Sequence, residues 1–310
     1  MSYCFGIDLG GTTVKMGLFH FDGELIEKWE IITRKEDSGE HILPDIAKSI
    51  KEKMEEHKIA KEDVLGVGLG IPAPVSETGI VQATANLGWG YKEVRHELEE
   101  LLKIKVTVGN DANVAALGEM WKGGGMGHRN MIMVTLGTGV GGGIIINGDI
   151  VVGGHGAGGE IGHICVNYDE TIKCGCGNRG CLEQYASATG IVRLAKERLD
   201  GNTDETVLTL DDISAKTVFD AVKEQDRVAI EIATEFGKYL GHALANLAAA
   251  VDPEVVVIGG GVSKAGEILL DFVSKPFEDR ALFANKDCRF ELARLGNDAG
   301  IYGAAKLVLK

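Results

Sequence analysis

The chain has 310 residues, 45% hydrophobic and 25% charged, with a formal net charge of −14. That length suits two domains of ordinary size with real cores, while the acidic balance, with no Lys/Arg cluster set against it, argues against a nucleic-acid binder. The longest apolar stretch, Leu244 to Val251, is too short to span a bilayer and contains Asn246, so no membrane segment is expected; no hydrophobic leader is evident, and a cytoplasmic location is expected.

Apolar, β-branched runs predict strands at Cys4 to Asp8, Val14 to Phe19 and Glu24 to Ile32, with an Asp22-Gly23 turn between the last two. A helix follows from about Pro44 to Lys58, with Ile46, Ala47, Ile50 and Met54 on one side and Pro44 in its first turn. Strand Leu65 to Leu69, helix Glu93 to Leu102, strand Val106 to Val108 and helix Ala112 to Trp121 complete the first half. The second half opens with strand Met131 to Leu136, a glycine turn, strand Gly142 to Asn147 and a short strand Ile150 to Val152. Helices Leu182 to Leu199, Ala215 to Lys223 and Arg227 to Val251 follow, then strand Glu254 to Ile258, helix Ser263 to Val273, strand Arg289 to Ala293 and helix Ala299 to Leu309. Gly201 to Asp212 reads as a surface loop.

Ile7-Asp8-Leu9-Gly10-Gly11-Thr12 and Val134-Thr135-Leu136-Gly137-Thr138-Gly139 occupy the same place in the two halves. The chain therefore reads as an α/β protein of two duplicated lobes with a ligand cleft between them. Residues 1–109 plus 297–310 are expected to form the small lobe, and 110–296 the large one.

Glycine is the outlier, with 44 residues against five prolines. A strand, a small-residue turn and a second strand can present consecutive N–H groups to an anion. Both the Gly10-Gly11-Thr12 and the Gly137-Thr138-Gly139 turns fit, and two in equivalent places suggest one polyphosphate held from both sides. Neither matches the P-loop or the dinucleotide fingerprint. Lys15 can add a positive charge, or can be an exposed strand residue. Asp8 can approach Mg²⁺ or satisfy turn amides. The third loop, Gly259-Gly260-Gly261, is either a compact turn with Ser263 as N-cap or, beside the other two, a nucleotide base or ribose surface.

His163, Cys174, Cys176 and Cys181 make a complete tetrahedral zinc set with no open position, which predicts a structural metal. The alternative is free thiols, since Cys-Gly-Cys is too tight for an easy disulfide. Cys4, Cys165 and Cys288 read as core residues.

Taken together, the two hairpins, Gly109-Asn110-Asp111-Ala112-Asn113, Glu160-Ile161-Gly162-His163 and Cys174-x-Cys176-x4-Cys181-Leu182-Glu183 resemble the ROK family of bacterial sugar kinases, and within it the ATP-dependent glucokinases. The resemblance covers nearly the whole chain. It implies the actin and hexokinase (ribonuclease H-like) fold, closure of the lobes over substrate, and transfer of the γ-phosphoryl of ATP to the 6-hydroxyl of a hexose, glucose by preference. It makes Asp111 the general base, although an aspartate just before a helix is also an ordinary N-cap. It places Asn110, Glu160, His163 and Glu183 on the hexose, with Asn86 at the rim and Trp89 either there or simply packed. Gly10, Gly11, Thr12, Thr138 and Gly139 fall on the phosphates, and relatives suggest a homodimer or homotetramer. Gly70-Ile71-Pro72-Ala73-Pro74 departs from the family, which usually has glycine between the prolines. Kinases for fructose, mannose, allose or N-acetylmannosamine, polyphosphate as donor, and a sugar-sensing regulator are the rival readings.

Overall fold

The computed structural model describes residues 2–84 and 86–309. Two five-stranded mixed sheets form its frame. The first holds β1 (Tyr3–Leu9), β2 (Thr13–His20), β3 (Leu25–Ile32), β4 (Val64–Ile71) and β5 (Val106–Asn110), in the order β3-β2-β1-β4-β5. The second holds β6 (Met131–Leu136), β7 (Val140–Ile146), β8 (Asp149–Ile150), β9 (Val255–Gly259) and β10 (Arg289–Leu292), in the order β10-β9-β6-β7-β8. Read from each opening strand the two orders are one: an antiparallel meander on one side and two parallel strands on the other. The duplication expected from the repeated hairpins is thus present in the topology.

The helices are α1 (Glu36–Gly39), α2 (Ile42–Glu56), α3 (Val94–Leu102), α4 (Asp111–Lys122), α5 (Glu183–Ala186), α6 (Ala188–Leu199), α7 (Ala215–Lys223), α8 (Arg227–Val251), α9 (Ile268–Arg280) and α10 (Ala299–Val308). The second sheet and the helices α6 to α9 enclose the largest core, with Phe219, Phe236 and Phe277 among its fully buried side chains. α8 begins at Asp226, whose side chain accepts the Ala229 N–H at 2.9 Å, and stops at Asp252, which turns left-handed at φ 46°.

α10 returns to the first sheet. Its backbone lies so close to β1 and β4 that a Cβ on Gly6 would stand 2.1 Å from the Ile301 carbonyl oxygen, and one on Gly68 would stand 1.8 Å from that of Ala304. Glycine inside a strand marks such an approach. α10 also packs against α4, glycine to backbone, through Gly118 and Gly303. These two helices lie between the sheets, α4 meeting β7 and α10 meeting β1.

Two helices differ from expectation. The run Leu182 to Leu199 breaks at Ser187, whose hydroxyl accepts the Gly190 N–H at 2.9 Å and donates to the Glu183 carbonyl at 2.6 Å, so one side chain stops α5 and starts α6. The run Ser263 to Val273 is replaced by a 3₁₀ turn, Val262–Ala265, followed by Gly266 at φ 88° and then α9. Ser263 caps no α-helix; its hydroxyl donates to the Gly260 carbonyl at 2.7 Å.

Candidate functional site

The first hairpin is fixed from behind. Gly10 N–H donates to the Thr13 carbonyl at 3.0 Å, while Thr33 donates its hydroxyl to the Gly10 carbonyl at 2.8 Å and its N–H to the Thr12 carbonyl at 2.9 Å. Thr12 stands exposed at the tip, and Asn86 lies beside it, its Cβ 3.7 Å from where a Cβ on Gly11 would be. Trp89 is buried, with Nε1 donating to the Gly39 carbonyl at 3.0 Å, so it packs and does not line the rim.

Asp8 and Lys15 face each other across β1 and β2. Lys15 Nζ lies 3.9 Å from Asp8 Oδ2 and donates to the Asn297 carbonyl at 3.2 Å, so this lysine ties the hairpin to the approach of α10. Asp8 also closes on α10, where a Cβ on Gly300 would meet its Cγ at 2.5 Å. Burial raises the Asp8 pKa, and Lys15 lowers it in part.

At the start of α4 the capping residue is Asn110. Its Oδ1 accepts the Asn113 N–H at 3.1 Å, and its Nδ2 donates to the Ala73 carbonyl at 3.3 Å. Asp111 is therefore the first helical residue and is freed from capping, with Oδ1 accepting the N–H of Ala112 at 2.8 Å. Burial pushes its pKa up to about 6; the Ala112 N–H opposes this, and the charges of Asp8 and Glu160 add to it. Those interactions bring three of the expected residues, Asp8, Asp111 and Glu160, to one place. Ala73, the departure from the family pattern, is buried and is not among the positive-φ residues, so alanine fits without strain.

The second hairpin mirrors the first. Its carbonyls are drawn back by the start of α6: Ala188 N–H donates to Gly137 at 2.8 Å and the Thr189 hydroxyl to Thr138 at 2.7 Å. Gly260, at φ 86°, packs on Leu136, with a Cβ there falling 2.5 Å from the Leu136 carbonyl oxygen. Gly259 and Gly261 flank that contact, so the third glycine loop lies directly behind the second hairpin.

Donor atoms of His163, Cys174, Cys176 and Cys181 all lie within 4.8 Å of one another. Cys176 and Cys181 sulfurs are 3.6 Å apart, and Cys174 Sγ is 3.8 Å from His163 Nδ1. Zinc with Zn–S bonds of about 2.3 Å needs tetrahedral edges of about 3.8 Å, so the set has the size for that ion. The segment is a small knuckle made by the Lys173 and Arg179 bridge and by the Cys165 and Cys181 bridge. Cys165 is exposed and Cys288 half-buried; of the three cysteines expected in the core only Cys4 is fully buried.

Glu183 connects this knuckle to the second hairpin. Its Oε1 accepts from the Cys174 thiol at 2.9 Å and lies 3.8 Å from His163 Nδ1, while its Oε2 lies 2.6 Å from where a Cβ on Gly139 would be. Glu160 opens the turn leading to His163 and is exposed. Two supporting carboxylates carry no signal in the sequence. Glu170, buried beneath the knuckle, accepts from the Tyr185 hydroxyl, the Ile172 N–H at 2.8 Å and Arg193 at 2.6 Å, which hold its pKa down to about 2. Buried Glu119 accepts the N–H groups of Gly124, Arg294 and Leu295 at 2.8, 3.0 and 2.8 Å, fastening α4 to the segment before α10. Only burial distinguishes these from surface acids, and burial of a single acid is not written in the sequence.

Residues 4–310 match the ROK family. The chain belongs to the ROK family. A glucokinase of Halalkalibacterium halodurans is 47% identical over 310 residues, covering 98% of this chain and 94% of that protein. The crystal structure of a ROK family glucokinase from Streptomyces griseus in complex with glucose and AMPPNP aligns with a TM-score of 0.75 and 34% identity, covering 99% of each chain. A xylose repressor of Caldicellulosiruptor bescii is 30% identical over 310 residues, which are 98% of this chain but 77% of that protein. The two-lobe actin and hexokinase-like fold is that of these ROK sugar kinases.

Proposed function

We propose that this protein is a glucokinase that transfers the γ-phosphoryl group of ATP to the 6-hydroxyl of glucose. The observation that carries the reading is Asp111: a carboxylate freed from capping by Asn110, partly buried, held at a pKa of about 6 and within the field of Asp8 and Glu160. A general base for a sugar hydroxyl works best with a pKa near the operating pH. Asp111 takes the proton of the hydroxyl as its oxygen attacks the γ-phosphorus, and ADP leaves with the electron pair of the broken P–O bond. Catalysis then rests on placement and charge stabilisation.

Asn110, Glu160, His163 and Glu183 hold the hexose, with Asn86 at its edge. His163 turns Nδ1 to the sulfurs, so Nε2 is available on the opposite side of the ring. Zinc on His163, Cys174, Cys176 and Cys181 would supply rigidity to the sugar loop and no catalytic chemistry, because the four donors complete its coordination. Gly10, Gly11, Thr12, Thr138 and Gly139 address the phosphates, and the loop Gly259, Gly260 and Gly261 the nucleoside. Asp8 would hold Mg²⁺, directly or through water, where the ion would offset phosphate charge. Residues up to 109 with the returning α10 form one lobe, and residues 110–296 the other. Six free cysteines support a reducing, cytoplasmic setting.

The test is glucose-dependent release of ADP by the purified protein, run beside fructose, mannose, allose and N-acetylmannosamine and with polyphosphate replacing ATP. Turnover with another hexose in preference to glucose would reassign the acceptor; no sugar-dependent release would leave the regulator reading in its place.

A further inference from the structure

A pocket of about 320 Å³ opens between the second hairpin and the metal knuckle. Thr138, Gly139 and Thr189 line it from the hairpin side and Lys173, Cys174 and Gly175 from the knuckle side, with Glu183 and Gln184 completing the wall. On the hairpin side the carbonyls of Gly137 and Thr138 are already taken by α6, whereas the N–H groups of Thr138 and Gly139 make no hydrogen bond among the described residues. Two free amides at a cavity wall attract an anion.

Lys173 is the cation of this lining, facing the Glu183 carboxylate, and Arg179 lies just outside it. Lys173 and Arg179 stand directly opposite each other in an antiparallel bridge. Like charges in that relation repel. Both residues are exposed, and among the described residues neither side chain makes an ion pair or hydrogen bond. Elsewhere on this acidic chain lysines with carboxylates in reach use them, as Lys53 does with Glu27 and Glu56. Lys15 already binds Asp8 and the Asn297 carbonyl. A phosphoryl donor brings several negative charges, and its transfer needs a cation placed before the reaction begins.

We propose that Lys173 is a nucleotide-binding residue that contacts the terminal phosphates of the donor from the knuckle side, opposite the Thr138 and Gly139 amides, with Arg179 reinforcing the field. This assignment rests on the ATP-dependent kinase reading. The knuckle then has two roles, since besides carrying the sugar carboxylates it delivers a positive charge to the donor.

The experiment uses the zinc-loaded wild-type protein, Lys173→Met and Lys173→Arg. Wild-type glucose-dependent ADP release is measured first, and its absence would sink the kinase reading itself. Given that activity, Lys173→Met is expected to weaken ATP binding in calorimetry at least about tenfold and to lower kcat. AMP binding, glucose binding and zinc content by elemental analysis should stay within twofold of wild type, and Lys173→Arg should recover most of the ATP affinity. ATP affinity and kcat within twofold of wild type in Lys173→Met would overturn the proposal. So would an equal loss of AMP and ATP binding, or an ATP loss matched by lost zinc and not recovered in Lys173→Arg, because each reports a disturbed loop and not a phosphate contact.

Discussion

Gly303 of α10 lies against Val114 of α4 so closely that a Cβ on the glycine would stand 1.7 Å from the valine carbonyl oxygen. The obstacle is backbone, which cannot rotate away as a side chain can. Gly303→Ala is therefore expected to wedge the two helices apart and cost about 3 kcal/mol or more, the upper range of overpacking. Urea unfolding measures it; a loss under about 0.5 kcal/mol would show that α4 and α10 can separate freely.

Asp111→Asn keeps an oxygen for the Ala112 N–H but removes the proposed base. Turnover should fall by roughly 10² or more while glucose binding persists. In the wild type, kcat/KM should climb as pH rises through about 6, where Asp111 ionises. Stability should move the other way. A carboxyl whose folded pKa lies above its ordinary 3.8 favours the fold below pH 4 and loses that advantage as pH rises through about 6. At pH 7 Asp111→Asn should thus be more stable than wild type, on the order of 2 kcal/mol, with the gap closing below pH 4. Near-normal turnover would contradict the assignment of the base, and equal stability at both pH values would contradict its burial.

Glu170 has the opposite sign. Tyr185, the Ile172 N–H and Arg193 hold its pKa at about 2, below the ordinary 4.5, so its stabilisation is complete above pH 4.5 and drains away as pH falls toward 2. Glu170→Gln should lower the melting temperature at pH 7 and flatten its dependence between pH 4.5 and 2. Tyr185 also stacks on Tyr239 with ring centroids 4.2 Å apart, so the variant should leave the surrounding core in place. An unchanged acid slope in scanning calorimetry would remove Glu170 from this role.

Cys176→Ser takes one of four donors from the knuckle. Bound zinc, by elemental analysis, should fall well below the wild-type level, and the KM for glucose should rise more than kcat falls, since a metal on this proposed ligand set would support the loop and not the proton transfer. Metal content equal to wild type would refute the ligand set.

Patterned features of the molecule were legible in its sequence. Repeated glycine turns foretold two sheets of one strand order, and the spacing of His163, Cys174, Cys176 and Cys181 foretold donors within reach of one ion. What escaped depends on which of several available partners a side chain takes. The stop at Ser187 comes from a serine bonding both backward and forward, in a run whose helical propensity is otherwise continuous. Asn110 and Asp111 are both good caps by residue type, and only the Asn113 N–H decides between them. Lys15 has the residue type of a phosphate cation, but its neighbours Asp8 and Asn297 come from β1 and from the far end of the chain.

Ala73 has one more consequence. Its backbone lies outside the left-handed region, and its carbonyl anchors Asn110 beside Asp111. Glycine at this point would leave the folded loop much the same but give the unfolded chain more conformations to lose. Alanine therefore acts where the protein has no structure at all, trimming the disorder from which it folds, by about 0.4–1 kcal/mol.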